Sequence, residues 1–112
     1  ILVPGTAEAE RAITWFETTE LCTSTVVWYE FLSGPVDDEG IEVIRALLRD
    51  RILPYTAAQA AESARLFEAT GRMRWLRIDA MIASAAITSN VTLATEALDD
   101  FKPFVPFGLR ML

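Results

Sequence analysis

The sequence contains no histidine. That excludes a Ser-His-Asp or Cys-His arrangement, a histidine general base and a histidine zinc site within this chain. It has one cysteine, Cys22, so no intrachain disulfide can form and a reducing, cytoplasmic setting is expected. The plain reading of Cys22 is a small buried hydrophobe. No apolar run reaches the about 18 residues that a membrane helix needs, so no membrane partner is expected. Nor does the start show a basic region followed by an apolar one, so no secretory leader is expected. If the chain is an enzyme, carboxylates and a hard metal ion are its readiest tools.

Half of the 112 residues (52%) are hydrophobic, enough for one domain with a real core, expected to span residues 1–112. The net charge is −6. A protein that wraps nucleic acid passively should be basic, because phosphate neutralisation supplies most of that affinity. A nuclease of this charge needs a local concentration of cations. One exists: Arg65, Arg72, Arg74 and Arg77, with Trp75 among them. Arginine suits phosphate, and an exposed tryptophan can stack on an unpaired base. The plainer alternative is a loop whose arginines only keep it solvated.

Periodicity predicts strands alternating with helices. Helices are expected over Ala7–Thr18, Val26–Leu32, Asp37–Arg49 (Ile41, Ile44, Leu47 and Leu48 inward), Thr56–Thr70 and Ile78–Ser89. Thr56 and Gln59 form a capping-box pattern, and Gly71 follows as a stop. Short apolar strands are expected at Leu21–Thr23, Ile52–Leu53, Val91–Thr95 and Leu109–Leu112, with a turn or short helix over Asp99–Phe104. Such alternation predicts an α/β fold with parallel strands covered on both faces. Trp15, Phe16, Trp28 and Tyr29 are expected in the core or a dimer interface.

Three acids stand in apolar company. Glu30 is the only charge in Val26–Leu32, Asp79 lies in the apolar run from Ile78 to Ala83, and Asp100 precedes Phe101. Burying a lone carboxylate is costly unless it is paired, neutralised or metal-bound. Each has a plain alternative: Glu30 pointing outward, Asp79 or Asp100 capping a helix or turn. Together, near the carboxyl ends of parallel strands, they suggest an acidic metal site.

The residues also carry a resemblance. Ser24-Thr-Val-Val-Trp-Tyr-Glu30, with Gly34 trailing, resembles the second motif of PIN-domain toxins. Arg77-Ile-Asp79-Ala-Met-Ile-Ala is similar to that family's aspartate-bearing helix, and Leu93-Ala-Thr95 with Asp100-Phe101 to its closing element. The resemblance implies a PIN-like three-layer fold, a short central parallel sheet flanked by helices. It implies a VapC-type endoribonuclease, the toxin of a type II toxin–antitoxin pair, with Mg2+ or Mn2+ as cofactor. Glu30, Asp79 and Asp100 would be the catalytic metal ligands, with Asp99 as a substitute for Asp100. Arg72, Arg74, Arg77 and Thr95 would bind the RNA substrate. A metal-activated water would cut the phosphodiester without help from the ribose 2′-hydroxyl. Further implied partners are a cognate antitoxin protein and a second copy in a homodimer.

Two departures stand out. The position two residues after Thr95, where many members carry an Asp or Asn, is Ala97. Nothing matches the family's first strand and its Asp motif, so that strand is expected to be missing ahead of Ile1. Its two neighbours, near Leu21–Thr23 and Val91–Thr95, would then lack a shared partner. A PIN-like interaction module without catalysis is therefore the alternative. A receiver-like phosphate-binding domain ranks below both, for want of a glycine-rich loop and a placed acceptor acid.

Overall fold

Ser24 ends one element and caps the next. A computed structural model describes residues 21–112, and the helix expected over Ala7–Thr18, with Trp15 and Phe16, lies outside them. Strand β1 (Thr23–Ser24) runs straight into helix α1 (Thr25–Leu32). The Ser24 backbone is extended, and its Oγ accepts from Val27 N at 3.2 Å, satisfying one of the helix's orphan donors. Asp37 does the same for α2 (Asp38–Leu48), accepting from Gly40 N at 2.8 Å. Asp38 and Glu39 fill the first turn of α2, where the helix dipole favours negative charge.

Strand β2 (Ile52–Leu53) lies parallel to β1, Thr23 opposite Ile52 and Ser24 opposite Leu53. A second parallel pairing joins Leu93 to Met111, with Leu93 N donating to Arg110 O at 2.8 Å and Leu112 N to Leu93 O at 2.9 Å. The strands expected over Val91–Thr95 and Leu109–Leu112 shrink to this bridge. Among the described residues no ladder connects the two pairings.

Helix α3 (Ala57–Ala69) starts in the expected capping box: Gln59 N donates to Thr56 Oγ1 and Thr56 N to Gln59 Oε1. After Gly71 (φ 95) and Arg72 (φ 59), one turn of 3-10 helix over Arg74–Leu76 leads into α4 (Arg77–Thr88). The sequence reading missed that turn. The core sits between α3 and α4: Leu66, Leu76, Ala80 and Ala83, closed below by Phe101, Phe104 and Leu109. Ser84 is fully buried between the helices, and its Oγ donates to Gln59 O at 2.9 Å. Gln59 Nε2 donates across to Thr88 Oγ1 at 3.1 Å, so the polar groups at this seam are satisfied. Helix α5 (Leu98–Phe101) continues as 3-10 helix through Lys102–Phe107.

Two core assignments change. Leu47, expected inward, is 45% exposed, and Leu48 is the buried residue of α2. Tyr29 is 71% exposed and so not in the core, while Trp28 is partly buried and stacks on Phe31 with centroids 5.4 Å apart. The architecture is α/β, with short parallel pairings among helices, as expected.

Candidate active site

Glu30 stands on α1, Asp79 in the first turn of α4, and Asp100 on α5. They come together. The carboxyl of Asp79 is raised above the ordinary carboxylate range, first by burial, then by the charge of Asp100, then by that of Glu30. Charges act on one another in this way only at short range, since salt screens them within about 8–10 Å. Asp79 therefore lies within electrostatic range of acids on two other elements. Asp79 is half-buried, while Glu30 and Asp100 are exposed. Among the described residues no ion pair neutralises any of them.

Glu30 and Asp79 line a cleft of about 810 Å³, together with Ser24 and Thr95. Its apolar walls include Val27, Ile82 and Leu93. β1 and the Val91–Thr95 segment both line this one cleft. Glu30 follows β1 in the chain and Thr95 follows the Leu93 bridge, whereas Asp100 is not among the residues that line the cleft. Cys22, expected buried, is half-buried and also lines the cleft.

The remaining candidates separate. Asp99 is exposed and bonded to Lys102 at 2.8 Å, a contact that holds its carboxyl below the ordinary range. It is not among the charges that act on Asp79. Thr95 faces the cleft, but its Oγ1 already accepts from Ala97 N at 3.1 Å, a local turn bond. Arg77 lies over the Phe67 ring at 5.6 Å. Arg72 and Arg74 are exposed on the turn before α4.

The donor set is all carboxylate oxygen, which suits a hard cation. Among the described residues no three such side chains stand close enough together to hold one ion between them. These carboxylates alone therefore do not form a complete shell for an ion here. The chemistry of the donors fits, through an open acidic mouth and not a closed cage.

The PIN domain family model matches residues 2–102. The chain belongs to the PIN domain family. Glu30, Asp79 and Asp100 fall within the matched stretch, as does the arginine-bearing turn. PIN domains are generally metal-dependent nucleases, which gives the acidic mouth a chemical context. Among solved structures, the chain is similar to FitAcB from Neisseria gonorrhoeae, with a TM-score of 0.69 and 19% identity over 92% of this chain and 84% of that one. It is also similar to FitAB bound to an IR36 DNA fragment, with a TM-score of 0.68 and 18% identity over 92% and 81% of the two chains. At these identities the likeness establishes a shared PIN fold. No curated protein matches the chain in sequence.

Proposed function

We propose that this PIN domain is a divalent-metal-dependent endoribonuclease of the VapC type, the toxin of a type II toxin–antitoxin pair. The observation that carries the reading is Asp79, which lines the cleft with Glu30 and has its carboxyl raised by burial and by the charges of Asp100 and Glu30. Like charges are costly to hold together, and a cation site gives the arrangement a use. Glu30, Asp79 and Asp100 would hold Mg2+ or Mn2+. Asp99 would substitute only by releasing Lys102. When bound, the ion supplies a water of lowered pKa for attack on the phosphodiester and positive charge at the leaving oxygen.

The chain's own residues do the rest. Asp79, whose carboxyl is raised, would be favoured in its ionised form beside a bound cation. Arg72, Arg74 and Arg77 neutralise backbone phosphates on the approach to α4, and Thr95 meets the substrate at the cleft wall. The fold likeness to FitAB, which binds a DNA fragment in one structure, supports a place in a larger assembly. There a cognate antitoxin would cover the apolar cleft walls, and two copies of this chain would form a homodimer.

Purified full-length protein should cleave single-stranded RNA with Mn2+ or Mg2+ and stop on chelation. Asp79→Asn and Glu30→Gln should each lower the rate by roughly 100-fold or more, the scale of a lost metal contribution. A second reading, a PIN-like interaction module without catalysis, is favoured by Ala97 and by the lack of a tight three-acid cluster among the described residues. It takes over if the wild-type protein cleaves no RNA and Mn2+ leaves its melting temperature unchanged.

A further inference from the structure

We propose that Trp75, flanked by Arg72 and Arg74, is a stacking platform for one unpaired base of a single-stranded RNA that continues into the acidic mouth. The proposal rests on the nuclease reading and deepens it by assigning a base-binding residue outside the acidic mouth.

Trp75 is 72% exposed, an unusual state for the largest apolar side chain. The turn around it is not loose. Its neighbour Leu76 is buried at 5%, and Leu76 N donates to Met73 O at 2.9 Å, so the turn is pinned on its inner side. Upstream, Gly71 N donates to Glu68 O at 3.1 Å and Arg72 N to Phe67 O at 2.9 Å, closing α3 through two successive left-handed residues. Downstream, the Arg77 guanidinium lies against Phe67. The backbone that carries the indole is thus pinned before anything binds, which lowers the entropic cost of ordering the turn.

The charge around it points to phosphate. Arg45, Arg65 and Lys102 are each paired with an acid. Arg72 and Arg74 have no ion-pair partner among the described residues, in a chain whose net charge is −6. Two uncompensated guanidinium groups beside an exposed ring match the backbone-and-base pattern of a single strand. Bases in a duplex are already stacked and cannot lie on the ring. Trp75 also stands four residues ahead of Asp79 in the chain, on the turn that leads into α4.

The test uses the full-length protein without metal, so that nothing is cleaved, and follows fluorescence anisotropy of a fluorescein-labelled oligouridylate. Trp75→Ala should weaken binding about tenfold or more, and Trp75→Phe should keep most of it. A duplex RNA of equal length should compete poorly. The Arg72→Gln/Arg74→Gln double variant should flatten the dependence of log affinity on log salt by about 1.4. Unchanged circular dichroism and melting would show that the variants fold. Wild-type affinity in Trp75→Ala overturns the proposal, as does no binding by the wild type at low salt. Loss of a dimer in Trp75→Ala with RNA affinity intact would assign Met73, Trp75 and Ile78 to a protein interface instead. Cleavage that needs Asp79 but ignores Trp75 leaves the nuclease standing and removes the platform. Binding that needs Trp75 in a protein that never cleaves keeps the platform and removes the nuclease.

Discussion

Helices α3 and α4 bury Leu66, Ala83 and Ser84 completely, and Phe104 beneath them is equally enclosed. Across the cleft, α1 buries no residue and α2 buries only Leu48. The first side has its polar groups bonded across the seam from Gln59 to Thr88 and Ser84. The second side leaves Tyr29, Val43 and Leu47 exposed. The two sides also divide the candidate site, since Asp79 and the arginine turn belong to the packed side and Glu30 to the open one. Stability and chemistry are thus separable here: the packed pair fixes one acid, and the open side brings another to it.

The largest expected effect breaks the comparison if it fails. Phe104→Ala should cost about 3–5 kcal/mol in denaturant unfolding, the usual range for emptying a buried aromatic site. Leu47→Ala on the open side should change stability by no more than about 0.5 kcal/mol. Equal losses would mean that the two sides are one cooperative core.

A smaller effect sharpens it at the seam. The Asp79 carboxyl is raised in the folded state by burial, then by Asp100 and Glu30. The folded protein therefore holds that proton more tightly than the unfolded chain does. The resulting stability is full below the unfolded carboxylate range and is lost as pH rises through the folded value. Asp79→Asn should melt above wild type at neutral pH without metal, and the gap should close on acidification. Adding Mn2+ should raise the wild-type melting temperature and leave the variant behind. A variant that melts below wild type at neutral pH would show that Asp79 makes a favourable contact instead.

The smallest effect tests the open surface. Tyr29→Ser should alter stability by no more than about 0.5 kcal/mol, as expected for a side chain 71% exposed. A larger loss that grows with protein concentration would place Tyr29 in a subunit interface.

The packed side was the more legible one in the sequence. Thr56 and Gln59 announce α3 because a capping box is local chemistry, and the apolar run after Asp79 announces α4 because it is long. Strands fared worse. Ile52–Leu53 was correct, but β1 shifted to Thr23–Ser24 and two expected strands became one bridge. An apolar run records a tendency to extend, whereas a ladder depends on a partner far away in the chain. Leu47 and Leu48 were both placed inward because periodicity gives the direction of a helix face and not its width. In the site, apolar neighbours singled out Glu30 and Asp79. The sequence left Asp99 as a substitute for Asp100, and the pairing of Asp99 with Lys102 three residues on is local chemistry of the kind a sequence carries.

The helical pair also bears on the order in which the chain takes shape. Contacts between α3 and α4 join segments close in sequence, while the acidic mouth joins Glu30, Asp79 and Asp100 across long stretches. Closing long loops is entropically slower than closing short ones, so local pairs form first. In pulse-labelled hydrogen exchange during refolding, amides of α3 and α4 should gain protection before those of α1. Early protection of α1 would reverse the sequence of events. With the helical pair first, a half-made chain has a scaffold before its acids have met, and the acidic mouth assembles among the last parts of the molecule.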